Sequence, residues 1–448
     1  MTRRLPLITL VLAALACAAP ATATAAGWTP PQELGPSGFA SYDTAIASNA
    51  SGDAVTAFSQ SRGIYIARAS AGAPFGTALR MDGEGLYPRI AIDARGVALI
   101  AWEYDDGSFS GSDGFRGTVT CCTGTKVVVW RPGQAPSPVR VVRRRGLVTR
   151  PGPVAAVSGR RGILVRAAGS DEEQFGTMQF VPIRVDGRPG KRRAIGGVHW
   201  SRASLQYSGG RAVVGLIDPR GPSRLALRTQ RANGSFGPLR VFLRVPEELA
   251  FTEIGGMEYN DAQIVPDGRG GQVAVLERGA QPDRYLQLVR RRRGAAARTI
   301  ARGSAGRADD FDLPQLSASP DGWTALAYMR RPAITSLDGV VQVVAVSPRG
   351  RIRSTPLTPP GDFSSPAVSV TRGGAGAAGF SGRDLRPGGP YRSASSFAPI
   401  RGGRPLPAGA LLRNADGLIG NVVMTSNPRD RARVVWEEGE RVFASRLE

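Results

Sequence analysis

The sequence predicts an all-β fold: a single β-propeller of eight blades, each of four antiparallel strands, with seven as the alternative blade count. Three observations predict it. A strand–turn–strand unit recurs eight times along the chain. Glycine (58) and proline (34) make up about one residue in five of the 448, which breaks the chain too often for long helices or a coiled coil. The segment Trp28–Leu34 reads as an outer strand and Arg441–Leu447 as a third strand. Pairing the two would complete one blade and remove the exposed sheet edges of an open ring.

The repeat is a pair of apolar strands around a turn rich in Gly, Asp, Arg or Ser, the second strand often ending in an aromatic. The first copy runs Ile46–Phe58 and the clearest Ile90–Trp102. The others are Val154–Ala167, Leu205–Ile217, Gln263–Glu277, Leu316–Tyr328, Ala367–Phe380 and Val422–Trp436. Their turns recur with a mean period of about 54 residues. Tight turns between strands need a residue at positive φ, which glycine adopts without steric penalty, and Asp or Asn to hydrogen-bond the turn backbone. A third strand follows each hairpin (Gly63–Ala69, Lys126–Trp130, Leu225–Gln230, Tyr285–Arg290, Val340–Ser347). A fourth follows a Phe-Gly or Pro signal (Phe75–Arg80, Pro138–Val142, Phe236–Phe242). Four such strands per unit is propeller-blade geometry.

Residues 1–26 read as an export signal. Arg3 and Arg4 precede an apolar run, Leu5–Ala19, too short to span a bilayer comfortably, and Ala23-Thr24-Ala25 fits the small-residue cleavage rule. Cys17 marks a lipoprotein alternative. The propeller domain is then 27–448. The expected location is secreted or extracytoplasmic, in the cell envelope, with no transmembrane anchor and as a monomer. Oxidising surroundings favour a vicinal disulfide between Cys121 and Cys122, with free thiols as the alternative.

The formal net charge is +22, from 58 basic and 36 acidic residues, and the basic residues are almost all arginine. In a blade with strands a to d from the axis outward, the a–b and c–d turns share one face of the disc. By this parity, 28 of the 36 acids belong to the b–c and d–a loops of the opposite face. Arg161, Arg193 and Arg290, Arg291, Arg292 and Arg293 belong to the a–b/c–d face and are the expected polyanion-binding residues. Expected partners are anionic envelope polymers, glycans or proteins, held by salt-sensitive counterion release. No motif for sequence-specific reading of nucleic acid is present.

The strand–turn–strand pattern resembles the secreted β-propeller proteins of the sialidase-like superfamily, in the form of actinobacterial repeat proteins. The Asp-box of that superfamily is not intact. Ser319-Pro-Asp321-Gly-Trp-Thr324 evokes it with compressed spacing. The resemblance implies a glycan hydrolase or lyase as the alternative to a non-catalytic binding or scaffold module. Such chemistry needs paired carboxylates, or an acid and a nucleophile, held over a pocket. The candidates are Glu103, Asp105, Glu258, Asp261, Asp309 and Asp312, with Tyr104 and Tyr259 beside them. Arg89, Arg150 and Arg307 lie in loops from which they could meet a substrate carboxylate. Asp309, Asp310 and Asp312 offer oxygen donors to Ca²⁺ but lack a complete spaced ligand loop. No other cofactor is expected, and a single histidine, His199, excludes a multi-histidine metal centre.

Overall fold

A computed structural model describes residues 27–35, 41–60, 63–83, 85–104, 124–144, 153–166, 178–195, 202–218, 224–244, 263–278, 285–303, 310–331, 339–358, 362–384, 392–406, 411–415, 419–429, 432–439 and 441–448. The chain forms eight antiparallel sheets arranged as an eight-bladed β-propeller. Blade 1 spans 41–82, blade 2 86–144, blade 3 154–194, blade 4 202–244, blade 5 263–303, blade 6 310–356 and blade 7 362–415. Blade 8 takes its inner three strands from 419–447 and its outer strand, Gln32–Glu33, from the other end of the chain. The a strands of successive blades touch all the way round, including blade 8 against blade 1, so they line the axis.

No blade has a core of its own. The buried side chains fall into seams, each shared by two neighbouring blades. Trp102 of blade 2 packs with Val55, Ala57, Ile64 and Ile66 of blade 1. Tyr328 of blade 6 packs with Val273, Val275, Leu286 and Leu288 of blade 5. Phe58 of blade 1 packs with Val435 and Val442 of blade 8, and Trp436 of blade 8 with Phe397 of blade 7. The b strands are therefore apolar on both faces. Ala54–Gln60 and Ala98–Tyr104 are buried at every position. The alternation of a half-exposed strand survives only in outer strands such as Ile352–Pro356.

Ring closure occurs where the two chain ends meet. Gln32 and Glu33 pair with Ala444 and Phe443, and Trp28 bridges Leu447. The Thr29 amide donates to the Arg446 carbonyl (2.8 Å) and the Leu34 amide to that of Val442 (2.8 Å). Gln32 also ties blade 8 to blade 1. Its Nε2 donates to the Phe75 carbonyl (2.6 Å), and its Oε1 accepts the Phe75 amide (2.9 Å).

The fourth strands start later than the sequence suggests: Leu79–Asp82, Arg140–Arg144 and Arg240–Arg244. The Phe-Gly and Pro segments instead leave the c–d turn through one backbone bond to the third strand. Gly76 donates to Arg68, Ser137 to Val129, Gly190 to Pro182 and Gly237 to Thr229. A shift of register follows in blades 1, 2 and 4 before the short outer ladder forms.

Because strand 32–33 closes the last sheet, deleting residues 27–35 should lower the melting temperature of the whole domain in one transition. Gln32→Ala should cost about 1–3 kcal/mol by leaving the Phe75 amide and carbonyl without their side-chain partner. Calorimetry that returns the wild-type midpoint for the deletion would refute the closure.

Candidate functional site

One hairpin turn is used repeatedly on the a–b/c–d face. Its first residue donates its amide to the carbonyl four residues on, and the amide three residues on returns to the first carbonyl. Asp93 with Gly96 and Val97, and Ser319 with Gly322 and Trp323, build it in a–b turns. Arg184 with Gly187 and Arg188, and Ser347 with Gly350 and Arg351, build it in c–d turns. The third residue after the start needs positive φ, supplied by Gly96 (78°), Gly322 (100°), Gly187 (81°) and Gly350 (85°). Blade 4 uses Gly209-Gly210 between Ser208 and Arg211, both at positive φ.

The turns consume the acids that sit in them. Oδ1 of Asp93 accepts the amides of Arg95 and Val97 (2.9 Å each). Oδ1 of Asp267 accepts those of Arg269 (2.8 Å) and Gly271 (2.7 Å). Both residues are buried. Asn427 does the same for Arg429 (2.9 Å). The arginine side chains stand outside. Arg95 remains 69% exposed while leaning on Asp93 at 3.6 Å, and Arg269 and Arg429 are exposed. Asp321 joins two turns: its carboxylate accepts the Ser319 hydroxyl and, at 2.8 Å, the Gly373 amide of blade 7. Partial burial pushes its pKa up, but these hydrogen bonds and those of the Trp323 and Asp321 amides outweigh it, so the net shift is downward.

The arginines divide into two populations. Some are staples between blades, among them three that are buried or half-buried. Arg433, 1% exposed, donates to the Ala73 (2.9 Å) and Ser70 (3.0 Å) carbonyls of blade 1 and lies 5.4 Å over the Phe75 ring. Arg290, 4% exposed, donates to the Gly322 carbonyl (2.6 Å) and the Thr324 hydroxyl of blade 6. Arg68 donates to the Gly96 and Trp130 carbonyls of blade 2 and lies over the Trp130 ring. Burial lowers the pKa values of Arg68 and Arg290, opposed at Arg68 by the charges of Asp53 and Asp93.

The expected polyanion residues therefore differ in position. Arg290 and Arg291 belong to the third strand of blade 5, Tyr285–Arg291, rather than to an exposed turn. Arg290 faces the neighbouring blade because its guanidinium pairs there, and Arg291 is half-buried with its guanidinium over Phe242. Arg161 is buried in strand Arg160–Arg166, and Arg193 is half-buried in an outer strand. Arg292 and Arg293 stand exposed in the c–d turn. Sequence reading missed Arg95, Arg211, Arg269, Arg372 and Arg429, all exposed at a–b turns, where Arg160 is exposed as well. The signal was present, since arginine follows the turn-starting Asp or Asn by two residues at Arg95, Arg269 and Arg429.

At the opposite face, Glu103 and Tyr104 end the second strand of blade 2 rather than lying in a loop, and both are buried. Beside them, Asp82 receives Lys126 Nζ at 2.5 Å and Trp102 Nε1 at 3.2 Å, and Lys126 Nζ lies 4.3 Å from the Tyr104 ring centre. Asp310 and Asp312 lie in strand Asp310–Ala318, not in a loop. Arg89 is likewise a strand residue, in Leu86–Ile92. Asp105, Glu258, Asp261, Asp309, Tyr259, Cys121, Cys122, Arg150, Arg307, His199 and the leader with Cys17 lie outside the described residues. Among the described residues, no group of three or more His, Cys, Asp or Glu side chains could hold a metal ion.

No protein-family model matches the chain, and no curated protein does. Among solved structures, a protein of unknown function from Dyadobacter fermentans is 13% identical, covering 81% of this chain and 94% of its own, with a TM-score of 0.42. A puromycin hydrolase mutant complexed with PGG is 13% identical, covering 89% of this chain and 58% of its own, at 0.45. A subtype N10 neuraminidase-like protein of A/little yellow-shouldered bat is 8% identical, covering 66% of this chain and 93% of its own, at 0.37. At these identities and scores the matches assign neither ligand nor activity to this chain.

Two outcomes check the division of labour on this face. Arg290→Ala should destabilise the fold by about 1–3 kcal/mol, since it leaves the Gly322 carbonyl and Thr324 hydroxyl without this donor, whereas Arg292→Ala should change stability by less than about 0.5 kcal/mol. Equal losses in urea titrations would contradict the assignment. Asp321 ionises more readily folded than unfolded. Its contribution is therefore fully present above its unfolded pKa of about 3.9 and lost as pH falls through the lower folded value. The melting temperature of Asp321→Asn should fall less steeply than that of wild type between pH 5 and 2. Parallel profiles would show that Asp321 plays no such part.

Proposed function

We propose that the protein is a non-catalytic binding module, exported to the cell envelope or beyond, whose a–b/c–d face holds anionic polymers. One observation carries this reading. On that face Asp93 and Asp267 are buried and hydrogen-bonded to turn amides, while arginines from the same turns project into solvent. The acids shape the turns and the arginines set the outward potential. Exposed c–d arginines, among them Arg184, Arg231, Arg292, Arg293 and Arg349, stand farther out, toward the rim. An arginine fork matches phosphate, sulfate or carboxylate oxygens, and each neutralised charge releases a condensed counterion.

The apolar run of the leader supports export. Among the described residues, no helix is long and apolar enough to cross a membrane. A hydrolase reading would need the acidic loops of the other face, where the described carboxylates include Glu103 and Glu437, both buried, and Asp82, which is paired with Lys126 and Trp102.

The test is binding of long-chain polyphosphate followed by calorimetry at several salt concentrations. Neutralising four charges should weaken binding about 50-fold between 50 and 200 mM salt. Absence of binding at 20 mM salt would overturn the reading. Release of reducing ends from an acidic glycan under the same conditions would overturn its non-catalytic part.

A further inference from the structure

We infer that the seat for the polymer is an arc of four arginines around the axis, Arg95, Arg160, Arg211 and Arg269, and that it takes a linear phosphodiester chain without aromatic groups, about four charges at a time. This rests on the reading of the turn face as a polyanion site.

The a–b turns form the inner ring of that face because the a strands line the axis. Contacts run from turn to turn. Asn49 Nδ2 of blade 1 donates to the Asp93 carbonyl of blade 2 (3.1 Å), and Gly373 of blade 7 donates to Asp321 of blade 6 (2.8 Å). Near blade 8, the Ser426 hydroxyl donates to the Ser369 carbonyl of blade 7 (3.3 Å). Blades 2, 3, 4 and 5 each place one exposed arginine on this ring. Blades 7 and 8 add Arg372 and Arg429 as a separate pair. The circle is broken at blades 1 and 6, whose turns carry Ser51 with Asp53, and Asp321 with Gly322. Both carboxylates are only half-buried. Four successive positive tips are thus bounded at each end by a negative turn.

This pattern selects by length and by charge spacing. The roots of the guanidinium groups are fixed on separate turns. At Arg95 and Arg269 the amide is held by the aspartate two residues before it. Tips rooted on four different blades suit a chain bearing one charge per repeat better than a single compact anion. A chain longer than the arc would meet Asp53 or Asp321 and gain little from further repeats. Among the described residues the exposed large hydrophobic side chains are Leu79, Val185 and Ile352, with no aromatic ring. The described part of this face thus offers no fully exposed ring of the kind on which single-stranded nucleic acids stack, and Tyr207 and Trp323 there are half-buried.

The experiment measures binding of glycerol-phosphate oligomers of two to twelve repeats to wild type and two variants. One carries Arg95→Gln, Arg160→Gln, Arg211→Gln and Arg269→Gln. The other carries Arg292→Gln, Arg293→Gln and Arg349→Gln on c–d turns. Affinity should rise with length to about four repeats and then level off. The first variant should lose at least 10-fold at 50 mM salt, the second less than 3-fold, and each single inner substitution should lower the salt slope by about one. All substituted side chains are exposed, and the melting temperature of each variant checks that folding is kept. Affinity that climbs steadily to twelve repeats, or is lost in the outer variant alone, overturns the arc while leaving the polyanion reading intact. Tighter binding of single-stranded DNA of equal charge, or of inositol hexakisphosphate, overturns the ligand class. No binding of any oligomer or of polyphosphate at 20 mM salt overturns the polyanion reading itself.

Discussion

The structure depends on apolar seams between blades. A four-stranded sheet with two apolar faces cannot exist alone in water. Each blade here buries one face against the blade before it and the other against the blade after. Val55 and Ala57 meet Trp102 in one seam, while Phe58, one residue on, meets Val435 and Val442 in the next. Full burial of each such side chain contributes about 1.5–3 kcal/mol. The last seam must close as the others do, or the outermost blades expose a face. Strand 32–33, Leu34 and Trp28 complete it from the far end of the chain.

The seams fix where polar groups can go. With strand interiors committed to packing, charge is pushed to strand ends and turns. One turn form then recurs at both the inner and the outer connections of the same face. Where an aspartate starts the turn, at Asp93 and Asp267, backbone amides hold its carboxylate and the residue is buried. The arginines of the turn cannot follow it, because a guanidinium has no acceptor and the turn amides are donors. The outward excess of positive charge is thus a consequence of turn chemistry as much as of composition.

The same residue type serves two opposite ends. A buried guanidinium is costly unless its donors are matched. Arg290, Arg68 and Arg433 are placed where carbonyls of the next blade receive them, two of the three with an aromatic ring against the guanidinium plane. Arg95 and Arg269 emerge from turns with no blade above them and remain in solvent. Position relative to the next blade, and not local sequence, separates the staple from the solvent-facing side chain.

Much of the fold was legible in the sequence. All eight hairpins, the blade count and the closure by strand 28–34 follow from the recurrence of apolar strands and glycine turns, because strand period and positive φ are local demands. The parity of the loops follows too, since it is a property of any antiparallel meander. The placement of individual side chains was not legible. The run Arg290 to Arg293 reads as one exposed cluster, yet its first member is buried and its last two are not, because the third strand continues one residue past Arg290. Glu103 reads as a loop acid and is buried at the end of a strand. The fourth strands start later than their Phe-Gly and Pro signals, because a single backbone bond and a register shift intervene. The sequence alone determined which residues make strands and turns. Only the tertiary structure decided which arginines face solvent, because that choice depends on carbonyls and rings supplied by a blade some 30 to 360 residues away.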